Sequence, residues 1–119
     1  MNYQNLSILL VCNLGASTSV MVSKMREVVD NSEVLKGQNI RIDARSAGDL
    51  NTYIADYDLV MVGPQMKHKF PELAAIAGKY AKPIEVIDSQ AYGLADGALI
   101  LKQALYLYHL NRPAKEGVK

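Results

Sequence analysis

Short, uniformly apolar runs alternate along the chain with longer amphipathic stretches, and turn residues separate them. Leu6-Ser7-Ile8-Leu9-Leu10-Val11 is too apolar throughout for a half-exposed strand and predicts a central strand covered on both faces. From Ser17 onward, Met21, Met25, Val28 and Val29 recur at helical spacing, and Asn31-Ser32 closes that helix before a polar stretch ending in Gly37-Gln38-Asn39. Ile40-Arg41-Ile42-Asp43-Ala44 alternates apolar with polar residues, as an edge strand with one wet face does. Asp49 is placed to cap a short helix whose Leu50, Tyr53, Ile54 and Tyr57 share a stripe.

Asp58-Leu59-Val60-Met61-Val62 predicts a second buried strand, halted by Gly63-Pro64. Pro71 suits the first turn of a helix with the stripe Leu73, Ile76, Ala77 and Tyr80. Lys82-Pro83 ends it, and Ile84-Glu85-Val86-Ile87 predicts a fourth strand, followed by a loop over residues 88–93. A last helix from about Ala95 carries Leu101, Ala104, Leu105 and Tyr108 on one face, and Asn111-Arg112-Pro113 stops it before a charged tail. Residues 1–5 are polar and are expected to fray. Strands separated by helices of this length argue for parallel pairing through right-handed crossovers, hence a small helix-covered α/β sandwich. In such open sheets ligands bind beyond the carboxyl ends of the strands. Cys12, Gly63-Pro64-Gln65 and Asp88-Ser89 are all expected at that edge.

Composition narrows the function classes. The 119 residues suit one domain, spanning 1–119 with a core over about 6–108. Half of them are hydrophobic and 21% charged, the balance of a globular protein. A net charge of +1 leaves no footprint for nucleic acid. One cysteine cannot form an internal disulfide, and no charged-then-apolar signal segment opens the chain, so the expected location is cytoplasmic. No apolar run approaches the ~20 residues that cross a bilayer, so direct membrane insertion is not expected.

Cys12 is that single cysteine, and it stands where the first strand gives way to Asn13-Leu14-Gly15-Ala16-Ser17-Thr18-Ser19. A strand, a tight loop and a helix in succession bring backbone N–H groups and the helix's positive end to one point, an anion cradle in which a thiol ionises more readily. A cysteine ending an apolar strand is often only a small hydrophobe, but Gly15 and three hydroxyl residues at 17–19 are not what an inert core position requires. Metal binding lacks ligands, since His68 and His109 are the only histidines, and dithiol chemistry lacks a second cysteine. Nucleophilic chemistry on an anion is left, with phosphoryl transfer the natural candidate and no cofactor required. Gly15 lets the backbone approach closely, and Ser17, Thr18 and Ser19 can cap the helix or donate hydroxyl hydrogen bonds. No charged residue lies between 12 and 19. A phosphoryl group there is held by dipoles alone, which suits a carrier that must pass it on. Cysteine-dependent phosphatases use C-x₅-R, whose arginine clamps the phosphate, whereas the sixth position after Cys12 is Thr18. Nucleotide-binding glycine motifs are absent. A phosphatase-like hydrolase and a non-catalytic phosphate- or partner-binding domain stay open as alternatives.

The segment from Cys12 to Ser19 resembles the phosphocysteine loop of the lactose/cellobiose-type enzyme IIB of the bacterial phosphoenolpyruvate-dependent sugar phosphotransferase system. Val22-Ser23-Lys24-Met25, Val62-Gly63-Pro64-Gln65 and Val86-Ile87-Asp88-Ser89 with Tyr92-Gly93 and Asp96-Gly97 resemble that family too, in the same order. The resemblance implies an open four-stranded parallel sheet with helices on both faces, a flavodoxin-like three-layer sandwich. It implies that Cys12 takes a phosphoryl group from a phosphohistidine of the IIA component and gives it to a sugar of the cellobiose, lactose or chitobiose class bound in the membrane component IIC. It requires no metal. Gln65, Met66, Lys67 and His68, with Ser89 and Tyr92, form a candidate partner rim, although a solvated loop accounts for 65–68 equally well. His68 is not needed as a base once the thiol is ionised, and Lys24 and Arg26 lie too far along the helix to hold the phosphate. The tyrosines and methionines are expected mainly in the core.

Overall fold

A computed structural model describes residues 5–12 and 16–110, with the backbone alone described at 16–18. The expectations for residues 1–4, for 13–15 and for the stop and tail over 111–119 lie outside the described residues. Four parallel strands, β1 (Ser7–Cys12), β2 (Arg41–Ser46), β3 (Leu59–Val62) and β4 (Ile84–Val86), form one sheet in the order β2-β1-β3-β4. The apolar runs at 6–11 and 59–62 are thus the two central strands, and the alternating segment at 41–46 is an edge, as their patterns require.

Helices α1 (Ala16–Asn31) and α5 (Gly97–Leu110) cover one face. There Ile8, Leu10, Leu59 and Met61 pack with Met21, Met25, Ile100, Leu101 and Ala104. Helices α2 (Leu50–Tyr53) and α3 (Phe70–Lys79) cover the other, where Leu9, Val11, Val60 and Val62 meet Leu50, Ile54, Leu73 and Ala77. Each fully buried Leu, Ile or Met contributes about 1.5–3 kcal/mol of transfer free energy. The two central strands supply such side chains to both faces and bind the layers together. The start of β1 is held by a reciprocal pair: the Ser7 N–H donates to Asp58 Oδ2 at 2.8 Å, and the Asp58 N–H donates to Ser7 O at 2.8 Å.

Local departures from the sequence reading have identifiable causes. The side chain of Asp49 caps no helix; Ser46 instead accepts the Gly48 N–H at 3.4 Å, opening a 3₁₀ turn (Ala47–Asp49) that leads into α2. Residues 89–93, expected as loop, form the short helix α4 (Ser89–Gly93), because the Asp88 carboxylate accepts the Ala91 N–H at 2.9 Å. Pro71 does sit in the first turn of α3, but that helix ends at Lys79 and leaves Tyr80 40% exposed. The methionines at 21, 25, 61 and 66 are core residues, whereas among the described tyrosines only Tyr57 is fully enclosed and Tyr106 is 62% exposed. Arg26 reaches across the sheet edge while its side chain stays half exposed: its Nη2 donates to Ile42 O at 2.6 Å and to Asp43 Oδ1 at 3.1 Å. Further along β2, Arg41 and Arg45 stack on the rings of Tyr57 and Tyr53, 4.6 and 4.3 Å from their centroids.

Candidate functional site

The strand order sets the position of Cys12. Connections from β1 run to β2 on one side and lead to β3 on the other, so the carboxyl ends of β1 and β3 flank the point where the winding reverses. Cys12 is the last residue of β1, in register with Ser46 of β2, and Val11 is in register with Val62. It is 1% exposed and packs in the cluster that holds Val11, Val62 and Met66, so the alternation of faces ends at this residue, where the chain leaves the sheet. Four residues later the backbone is already helical, and α1 continues for 16 residues. The positive end of a helix of four turns therefore points back toward the end of β1. Asn13, Leu14 and Gly15 lie outside the described residues, as do the side chains of Ala16, Ser17 and Thr18; Ser19 is exposed on α1.

Gly63 closes the space beside the cysteine. Its N–H donates to Val11 O at 2.9 Å, continuing the ladder one step past β3. A Cβ built on Gly63 would lie 3.0 Å from Cys12 Cβ and 3.0 Å from Gln65 Oε1, tighter than ordinary side-chain contacts. Only glycine fits without displacing one of them. Pro64 then starts a 3₁₀ segment (Pro64–Lys69). Within it Gln65, Lys67 and His68 are exposed, but Met66 is 2% exposed and packs with Leu73 and Val62. Met66 is a correction to the expected rim: it anchors the segment while its neighbours face outward. Gln65 donates from Nε2 to Tyr92 Oη at 3.2 Å, joining the end of β3 to α4. Ser89, at the start of α4, is exposed, and Tyr92 is partly buried against the α1/α5 core.

The structure thus brings Gln65 and Tyr92 together beside Cys12 and keeps Lys67, His68 and Lys69 on the outer surface of the same segment. The contribution of β2 to this edge escaped the sequence reading. Arg45, one residue before the end of the strand, lines with Ser19 and Arg26 a groove of about 350 Å³ along α1. The alternating segment as read ends at Ala44, one residue short of Arg45. Its pKa is raised above the ordinary arginine value, first by a hydrogen bond to Tyr57, so it remains a cation throughout. Among the described residues, no group of three or more His, Cys, Asp or Glu side chains is placed to hold a metal ion, and no helix is long and apolar enough to cross a membrane.

Comparison with known proteins gives the same architecture and one family. The family model "PTS system, Lactose/Cellobiose specific IIB subunit" matches residues 7–103. The chain is 39% identical over 100 residues to the PTS system oligo-beta-mannoside-specific EIIB component of Bacillus subtilis (strain 168), spanning 84% of this chain and 93% of that protein. It is 32% identical over 102 residues to the PTS system cellobiose-specific EIIB component of Lactococcus lactis subsp. lactis (strain IL1403), spanning 82% and 91%. The solution structure of the cellobiose-specific phosphotransferase IIB component from Borrelia burgdorferi superimposes with a TM-score of 0.74 at 28% identity, covering 90% of this chain and 94% of that one.

Proposed function

Because the chain belongs to the lactose/cellobiose-specific IIB subunits of the sugar phosphotransferase system and is a phosphotransferase component of it, we propose that Cys12 is the residue that carries the phosphoryl group. The observation that carries this reading is the position of Cys12: the last residue of a central strand, at the reversal of winding, four residues before the N-terminus of α1. In the first step the Cys12 thiolate attacks the phosphorus of a phosphohistidine on IIA. The S–P bond forms as the P–N bond breaks, the electron pair returns to the imidazole, and the proton given up by the thiol ends there. In the second step a sugar hydroxyl in IIC attacks the same phosphorus, the S–P pair returns to sulfur, and the hydroxyl proton restores the thiol. No cofactor enters either step.

The loop of Asn13, Leu14, Gly15, Ala16, Ser17, Thr18 and Ser19 holds the phosphoryl oxygens through backbone N–H groups and hydroxyls. Burial around Cys12 limits the access of water that would hydrolyse the intermediate. Gln65, Lys67, His68, Ser89 and Tyr92 form the rim on which IIA and IIC dock in turn, and the consecutive basic residues Lys67, His68 and Lys69 steer an anionic phosphorylated partner toward it. The sugar is a β-linked disaccharide or a related sugar, a reading supported by the oligo-beta-mannoside and cellobiose specificities named for two relatives, and the chain works in the cytoplasm at the inner face of its membrane partner. Incubation with phosphoenolpyruvate and the upstream carriers, including IIA, tests this reading. The protein should gain the mass of one phosphoryl group on a peptide containing Cys12, and Cys12→Ser should gain none. A phosphorylated peptide containing His68 instead, or rapid turnover of an aryl phosphate by the isolated chain, overturns it.

A further inference from the structure

The Gln65 carboxamide borders the gap that Gly63 leaves open. The position of a Cβ on Gly63 is 3.0 Å from Cys12 Cβ, 3.0 Å from Gln65 Oε1 and 3.3 Å from Gln65 Cδ. The cysteine Cβ and the amide oxygen can therefore be no further apart than twice that distance. A phosphoryl group on Sγ adds an S–P and a P–O bond beyond the sulfur, enough to span the separation. The amide is held in place from its other end, where Nε2 meets Tyr92 Oη at 3.2 Å. In this arrangement the amide oxygen is the end of the group that borders the same gap as the cysteine.

Tyr92 makes the reverse arrangement equally accessible. A phenolic hydroxyl both donates and accepts, and a primary amide has an oxygen and an NH₂ of nearly the same shape. Turning the carboxamide through half a revolution exchanges Nε2–H···Oη for Oη–H···Oε1 and keeps the bond. It also points an N–H donor at the cysteine side. A carbonyl oxygen there is unfavourable once two or more phosphoryl oxygens carry negative charge, and an N–H is favourable. Resting on the reading of Cys12 as carrier, we infer that Gln65 turns its amide on phosphorylation and donates a hydrogen bond to the phosphoryl group, with Tyr92 as its positioning residue. The contact supplies a neutral donor from outside the loop, and it gives the exposed rim a different hydrogen-bonding face in the loaded and unloaded carrier.

Nuclear magnetic resonance of the full ¹⁵N-labelled chain reads this directly. The Gln65 side-chain amide signals, assigned by their loss in Gln65→Leu, are followed while Cys12 is phosphorylated by phosphoenolpyruvate and the upstream carriers. One Gln65 amide proton should move downfield and acquire a coupling to ³¹P. In Gln65→Leu the phosphoryl equilibrium between IIA and Cys12 should shift toward IIA by about tenfold, the worth of one hydrogen bond to a charged group. In Tyr92→Phe the shift should run the same way and be smaller. Unmoved Gln65 amide signals on a chain whose Cys12 has gained its phosphoryl group overturn the inference and leave the carrier reading intact. Absence of phosphoryl on Cys12 overturns both.

Discussion

Gly97, the first residue of α5, lies against the backbone of Lys24 in the middle of α1: a Cβ on Gly97 would be 2.6 Å from the Lys24 carbonyl carbon and 2.8 Å from its oxygen. Lys24 Cβ is as near, at 2.7 Å, so the two helices meet here with no room for a side chain on Gly97. This contact sets α1 against α5, and α1 is the element whose N-terminus follows Cys12.

Gly97→Ala must push α5 off α1 and should destabilise the protein by about 1–3 kcal/mol, the usual cost of overpacking a core. Gly78→Ala is the matched control. Gly78 sits in α3 with nothing within 4 Å of its absent Cβ, so the substitution should stabilise by about 0.5–1 kcal/mol through helix propensity. Urea unfolding of the two variants beside the parent checks both signs.

Gly63→Ala places a methyl group 3.0 Å from Cys12 Cβ and 3.0 Å from Gln65 Oε1. Displacement of the cysteine by a fraction of an ångström should slow phosphoryl transfer by about tenfold or more, since a misplacement of ~1 Å costs about a hundredfold. Stopped-flow or quenched transfer from phosphorylated IIA measures this, and a rate within twofold of the parent would contradict the fit described for this glycine.

Asp88→Ala removes the carboxylate that accepts the Ala91 N–H at the start of α4. The helix has five residues and no second cap to replace it, so we expect a loss of about 1 kcal/mol. Loosening of α4 should also free Tyr92 from Gln65, and faster hydrogen exchange at the amides of 91–93 than elsewhere in the chain is the accompanying sign.

Tyr57 gives a pH dependence. Burial first, and then the hydrogen bond from its hydroxyl to Asp43 Oδ2 at 2.8 Å, raise its pKa above the ordinary value. Below pH ~10, the ordinary tyrosine value, folded and unfolded chains both keep the proton and the stabilisation is complete. As the pH rises past that value the unfolded chain ionises first, so stability falls until the folded hydroxyl ionises as well. Tyr57→Phe should flatten this alkaline decline and lose about 1 kcal/mol at neutral pH. Urea midpoints on either side of pH ~10 separate the two effects.

The strands and the long helices were legible because their patterns extend over enough residues to be distinguished: five apolar residues among the six of the first run and four apolar positions at helical spacing after Ser17. Where an element is short, the pattern has no room. The five residues of α4 show no periodicity, and only the contact of Asp88 with Ala91 makes them helical. Met66 was misplaced because it lies in a 3₁₀ segment within a run of polar residues; its burial depends on Leu73 in the next helix. Tyr80 follows the stripe of α3 but stands just past its last turn. The placement of Cys12 at the strand end could be read from one stretch of chain. The Gln65–Tyr92 contact joins residues 27 apart in sequence, and the stacking of Arg45 on Tyr53 links a strand to a later helix. Neither is encoded in a local pattern.

The pairing of Arg41 with Leu6 in the ladder turns the backbone groups of Ile42 away from β1, toward open solvent. Such a margin is where a foreign strand adds to a sheet and where aggregation starts. Arg26 already occupies the Ile42 carbonyl, and Arg41 and Arg45 place two more cations along the same strand. A second copy approaching edge to edge meets a filled acceptor and a run of charged side chains in which Asp43 is already paired with Arg26 and Arg41. That edge is thereby guarded against strand addition from a second copy of the chain, so the sheet is built to end at β2.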